Sequence, residues 1–103
     1  MRITYPIACV LQALASGFHY GFDIMEFTGL PSGTVYPILR RFERSGLARS
    51  RWESPREARN EGRPRRRYYE LTTAGREALS VAGERFRQHE RMFGDAPATN
   101  KTP

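Results

Sequence analysis

A mainly α chain with one small β-hairpin, an α+β class ordered helix, helix, helix, strand, strand, helix, is what three features of these 103 residues predict. Apolar side chains recur at three- and four-residue spacing over four stretches, the mark of amphipathic helices. Between the third and fourth stretches the period shortens toward two, on either side of a segment rich in proline, glycine, asparagine and charge, which is the mark of a hairpin. The turn between the second and third helices is only a few residues long, the spacing of a helix-turn-helix. With a hairpin behind it, the unit is a winged helix-turn-helix. A chain of this length holds one modest core and no second one. The expected layout is therefore a winged domain over 1–71, a terminal helix over 72–93 and a disordered tail over 94–103.

The first helix opens at Thr4, a plausible cap, and accepts Pro6 because a first turn has no amide bond to lose. Ile7, Val10, Leu11 and Leu14 form its buried stripe, which ends near Ser16 and Gly17. After His19, Tyr20 and Gly21, a short second helix carries Phe22, Ile24, Met25 and Phe27 and closes at Thr28 and Gly29. Nothing around His19 is spaced as metal ligands are, so it belongs to the surface or to helix packing. Gln12 interrupts the N-terminal apolar run, which is short for a membrane span. A cytoplasmic protein without export signal or membrane partner is expected.

The third helix, over 30–47, is the centre of the chain. Gly29 and Pro31 break what precedes it, Ser32 offers a hydroxyl to the free amides of its first turn, and Gly46 ends it. Val35, Ile38, Leu39 and Phe42 make one face apolar, which leaves Thr34, Arg40, Arg41 and Arg44 largely elsewhere. Pro37 has no amide proton and crowds the carbonyl of Gly33, so the first turn should be distorted or begin later than Ser32.

Residues 48–54 and 65–71 are the predicted strands, with 55–64 as a long basic tip. Tyr69 and Leu71 share one face of the second strand while Tyr68 and Glu70 share the other, so one tyrosine packs and its neighbour is freer. Trp52 is expected to be packed, anchoring the hairpin. Thr72 then caps the longest helix, running to about Phe93. Leu79, Ala82, Phe86, His89 and Phe93 fall along it as a heptad seam, and at roughly 1.5 Å per residue it is about as long as the domain is wide. Self-association through this helix is the expected use.

Charge is concentrated. Residues 40–67 hold eleven arginines against Glu43, Glu53, Glu57 and Glu61, a local balance of +7 within a total of +6. The rest of the chain is slightly acidic, so the basicity marks one region and points to a polyanionic partner there. Cys9, the only cysteine, excludes an internal disulfide and suits a small buried position. Two distant histidines, no HExxH, no phosphate-binding glycine loop and no nucleophile motif leave no catalytic constellation, no metal site and no cofactor to expect.

Tyr20-Gly21-Phe22 with Ile24, the run from Ser32 to Glu43, Gly46-Leu47, the run from Glu61 to Tyr69, and Leu71-Thr72 with Gly75 resemble the PadR family of bacterial winged-helix repressors. The similarity spans residues 11–79. Pro37 is frequent in that family, so it is a family feature that does not refute the helix. The resemblance implies a homodimer joined mainly by its terminal helix, bound to DNA in the bacterial nucleoid and released by small molecules in some members. One terminal helix here replaces the larger helical domain of long members, which weakens any transfer of effector identity.

On this reading the third helix enters a major groove, with Thr34, Pro37 and Arg40 near base edges and Ser32, Tyr36 and Arg41 at phosphates. Tyr36 remains open between a phosphate contact and a packed ring. Arg63, Arg65 and Arg66 of the wing would meet the backbone or a narrow minor groove. The expected partners are double-stranded DNA and a second copy. Phe86, His89 and Phe93 are either interface core or the wall of a pocket for a small aromatic effector. The alternative is a chromatin-like or RNA-binding protein without sequence preference, against which stands the absence of interleaved exposed aromatics for stacking bases.

Overall fold

A computed structural model describes the backbone of residues 2–100 and the side chains of residues 2–93. Three helices come first: α1 (Tyr5–Ala15), α2 (Gly21–Thr28) and α3 (Ser32–Arg44). They are followed by β1 (Ala48–Trp52), a short α4 (Pro55–Asn60), β2 (Arg67–Leu71) and α5 (Thr73–Asn100). The expected stripes are the observed core: Ile7, Val10, Leu11 and Leu14 of α1 meet Val35, Ile38, Leu39 and Phe42 of α3, with Ile24 of α2 closing one side. Burial of these faces, at about 25 cal/mol per Å² of apolar surface, is the main force that holds three short helices together.

β1 and β2 pair antiparallel from Ala48 opposite Leu71 to Trp52 opposite Arg67. Tyr69 and Leu71 are buried and Tyr68 is freer, as the alternation predicts. On the far side of β2, Tyr20 forms an isolated bridge with Tyr68. The Tyr69 amide donates to the His19 carbonyl at 2.8 Å, and His19 Nδ1 lies 2.8 Å from the Tyr69 carbonyl oxygen. His19 therefore stitches the connection between α1 and α2 to the wing, and its ring stacks on Tyr68 at 4.5 Å.

α3 ends in a left-handed glycine. Gly46 has φ 75°, and the Leu47 amide reaches back to the Phe42 carbonyl at 2.8 Å, satisfying a carbonyl that the helix end would leave free. Thr72 caps α5 as expected: its hydroxyl accepts from the Gly75 amide at 3.1 Å and donates to the Gly46 carbonyl at 2.6 Å. One residue thus ties the end of α3 to the start of α5.

Several expectations are corrected. Ser32 is the first helical residue and not the cap; the cap is Pro31, whose carbonyl accepts from Thr34 and Val35 at 3.0 Å each and whose side chain makes no cap bond. α3 continues through Pro37, which forfeits only the bond to the exposed Gly33. The wing tip contains α4, an element missing from the predicted order. Ser54 caps it, accepting from the Glu57 amide at 3.1 Å, and Pro55 sits in its first turn. Trp52 is 54% exposed, because the face it shares with buried Ala48 runs beyond the edge of the core. α5 runs to Asn100, and residues 101–103 of the expected tail lie outside the described residues. No helix among the described residues is long and apolar enough to cross a membrane.

Candidate nucleic-acid interface

The outer face of α3 is built by default, from what the core does not use. With Val35, Ile38, Leu39 and Phe42 turned inward, Ser32, Tyr36, Pro37, Arg40, Arg41 and Arg44 are left exposed, and Thr34 is half-buried. Arg40, Arg41 and Arg44 form no ion pair with a described residue, so their charge is unspent. Tyr36 is partly a packed ring: its edge lies over Gly21, where an added Cβ would come within 2.4 Å of it, so a side chain at that position would displace the ring. The remaining 38% of Tyr36 faces outward beside Pro37.

The wing handles its arginines differently. Glu53, at 2% exposure the sole charged residue in the buried set among the described residues, accepts a two-pronged contact from Arg63, with Nη2 to Oε2 at 2.7 Å. It also accepts from the Arg66 amide at 3.3 Å and from Arg66 Nη2 at 3.2 Å. The Arg63 fork, assisted by Arg66, holds the Glu53 carboxyl down at about 2 against the opposing cost of burial. Arg65 donates from Nε to the Glu53 carbonyl at 2.8 Å and is otherwise exposed. Of the three wing arginines predicted to meet DNA, Arg63 and Arg66 are turned onto Glu53, whereas Arg65 projects.

A second carboxylate joins wing to helix. Glu43 of α3 accepts from the Ser50 hydroxyl of β1 at 2.5 Å and from Arg67 Nη2 of β2 at 3.2 Å, while Arg67 Nε donates to Ser50 at 3.0 Å. The Ser50 hydrogen bond, with help from Arg67, lowers the Glu43 pKa. In the sequence, Glu43 and Glu53 stand only as offsets to arginine charge. Composition carries no signal for which arginine each would hold.

Arg51 and Arg49 extend the exposed basic surface along β1, Arg51 over the Tyr68 ring at 4.2 Å and Arg49 beside Glu70 at 3.4 Å. The expected lack of exposed aromatics is also corrected, since Phe22, Tyr36 and Trp52 all show at the junction of α2, α3 and the hairpin. They come from three elements distant in sequence, which hides their proximity.

At the other end, the residues expected in a dimer seam divide. Ala82 is buried and Leu79 half-buried against α1 of the same chain, and Phe86 meets Tyr5 edge to face at 6.0 Å. His89 and Phe93 are exposed and lie against each other at 4.7 Å. A cavity of about 330 Å³ opens between α1, α2 and α5, lined by Tyr5, Cys9, Phe27, Leu79 and Phe86 among others. No cluster of three or more histidine, cysteine or carboxylate side chains suited to a metal occurs among the described residues.

The model of the transcriptional regulator PadR-like family matches residues 10–81. No curated relative matches the sequence. Among solved structures, a PadR family transcription regulator from Clostridium difficile R20291 is 24% identical, with 89% of this chain and 97% of that chain covered and a TM-score of 0.77. The smu.1704 protein of Streptococcus mutans UA159 is 24% identical over 95% of this chain and 90% of that chain, TM-score 0.73. BpsR of Bordetella bronchiseptica, whose DNA binding is regulated by 6-hydroxynicotinic acid, is 20% identical over 88% of this chain and 61% of its own, TM-score 0.73. At these identities the structures attest the shared fold.

Proposed function

Because the chain belongs to the PadR-like family of transcriptional regulators and is not an enzyme, we propose that it is a sequence-specific repressor that binds a palindromic operator as a homodimer. The observation that carries this reading is the outer face of α3, where Tyr36, Pro37 and Arg40 lie exposed on one stripe and Arg40 has no ion-pair partner among the described residues. Arg40 reads guanine: its planar fork bonds O6 and N7 together, a contact that discriminates by roughly 1–3 kcal/mol. Thr34 and Pro37 lie beside it at base edges; Ser32, Tyr36 and Arg41 hold phosphates.

On the wing, Arg65 meets the DNA backbone, and Arg63 and Arg66 act through Glu53 by fixing the hairpin that carries it. A two-fold dimer places two α3 helices about 34 Å apart, one turn of DNA. The second copy docks along α5 and α1, where Tyr5 and Phe93 are large and exposed on the side of α5 that carries Phe86 and the 330 Å³ cavity. Sedimentation of the chain alone tests this dimer, and a monomer at micromolar concentration counts against it. A small aromatic effector, of the kind that regulates BpsR, is the class of ligand that such a cavity would take.

Exposed Phe22, Tyr36 and Trp52 favour a second reading, nucleic-acid binding without sequence preference, because base stacking on aromatic rings tolerates any sequence. Competition separates the two. A labelled duplex containing the inverted repeat upstream of the protein's own gene is challenged with random duplex and with RNA. The repressor reading expects neither to compete well, and equal competition by all three rejects it.

A further inference from the structure

The end of α3 and the start of α5 meet in a joint centred on Leu47 and Thr72. The Leu47 amide is tied to α3 through the Phe42 carbonyl at 2.8 Å, and the Leu47 carbonyl accepts from the Thr72 amide at 3.0 Å. The Thr72 hydroxyl donates to the Gly46 carbonyl and accepts from the Gly75 amide, so backbone groups of both helix ends share one side chain. Gly75, in the first turn of α5, lies flat against the same joint. A Cβ added there would fall 2.1 Å from the Leu47 carbonyl oxygen and 2.9 Å from Leu71 Cδ2. The nearer of these is backbone already held by Thr72, which cannot rotate aside, so a side chain at position 75 would push α5 away from α3. Farther along, α5 rests on α1 through Leu79 and Ala82. Two supports fix the direction of a rod, and the joint is the support next to α3.

The length of α5 makes that direction matter. Its 28 residues span about 42 Å at 1.5 Å per residue. A tilt of about 5° at the joint moves the far end by roughly 3.5 Å, close to the rise of one base pair. A flexible linker would permit such tilts, whereas this joint resists them. We infer that Gly75 and the Thr72 hydroxyl are positioning residues: by fixing α5 against α3 they set the separation of the two recognition helices, and hence the half-site spacing that the protein accepts. The inference rests on the homodimer reading above, in which α5 carries the second copy. Neither residue is among those placed at DNA in that reading; both act through the angle between two elements.

Cys9 is the only cysteine, so a Cys9→Ala chain with Arg44→Cys on α3 takes a single spin label. The distance between the labels of two copies is measured on the full chain without DNA, with Thr72 and Gly75 intact and then with Thr72→Val, Thr72→Ser or Gly75→Ala. Thr72→Val keeps the shape of the side chain and removes the hydroxyl; Thr72→Ser keeps the hydroxyl. Thr72→Val and Gly75→Ala should shift or broaden the distance by about 3 Å or more, on the scale of one base-pair rise, and Thr72→Ser should not. In parallel, the unlabelled proteins are titrated with the inverted repeat upstream of the gene and with versions whose half-sites are moved together or apart by one base pair. The wild type and Thr72→Ser should prefer the native spacing by about tenfold or more, as for one mismatched base pair. Thr72→Val and Gly75→Ala should lose that preference or move it to a neighbouring spacing. Unchanged distances, or an affinity that falls equally at every spacing, overturn the inference and leave the dimer reading standing. No inter-label distance with Thr72 and Gly75 intact overturns both. Should Gly75→Ala fail to fold by circular dichroism, the contrast between Thr72→Val and Thr72→Ser decides.

Discussion

α3 and the wing both carry clustered arginines, yet they use them in different ways. On α3, Arg40, Arg41 and Arg44 stand outward with no ion pair to a described residue. On the wing, Arg63 and Arg66 converge on buried Glu53, and Arg67 converges on Glu43. The difference follows from support. A helix has its own backbone hydrogen bonds and an apolar stripe to fix it, so its cations are free. A two-stranded hairpin extending past the core is marginal by itself, and here carboxylates hold it in place of apolar packing. On α3 the arginines all stand outward, whereas on the wing Arg63, Arg66 and Arg67 are braces and Arg49, Arg51 and Arg65 remain exposed.

The comparison can be broken from below. Phe42, on the inner face of α3, is fully buried in the core that also holds Ala48, Tyr69 and Leu71 of the hairpin, so Phe42→Ala should cost about 3–5 kcal/mol in chemical denaturation and abolish DNA binding through both regions together. Glu53→Gln should strike the wing alone. It leaves Arg63 and Arg66 side by side without a counter-charge, which should lower the melting temperature and weaken operator and random duplex alike. Arg40→Ala should leave the melting temperature unchanged and cost roughly 10–100-fold on the operator, with little change on random duplex. Arg65→Ala has the smallest expected effect: uniformly weaker binding and a log–log salt slope reduced by about one, read from binding isotherms at several salt concentrations.

Acid offers a further separation. Glu53 titrates at about 2 in the folded chain, below the ordinary glutamate value of 4.5. Its contribution to stability is therefore complete above that ordinary value and is lost as pH falls from about 4.5 toward 2. Thermal melts over this range should show an acid-dependent loss in the wild-type protein that is reduced in Glu53→Gln. Equal loss in both would mean that the carboxylate does not brace the wing.

What was legible in the sequence was whatever has a period. Val35, Ile38, Leu39 and Phe42 declare the buried side of α3 at helical spacing, and Tyr69 and Leu71 declare the buried side of β2 by alternation. Local capping is legible at Thr72, whose hydroxyl accepts from the Gly75 amide, but not at Ser32, where Pro31 already supplies the extended cap conformation. α4 was missed although Ser54, Pro55 and Glu57 spell a helix start, because six residues with Ala58 as their one buried side chain show no periodicity. Pairing was not legible at all. That Glu53 would hold Arg63 and Arg66, or that Phe22, Tyr36 and Trp52 would meet around one cleft, depends on elements brought together only by the fold.

The division of labour between helix and wing is tested most directly by one ratio, the operator affinity divided by the random-duplex affinity, measured at a single salt concentration for the wild-type protein, Arg40→Ala and Arg65→Ala. The account predicts that Arg40→Ala collapses the ratio by roughly 10–100-fold while Arg65→Ala lowers both affinities and preserves it. An equal fall of the ratio in both variants, or its survival in Arg40→Ala, would contradict it.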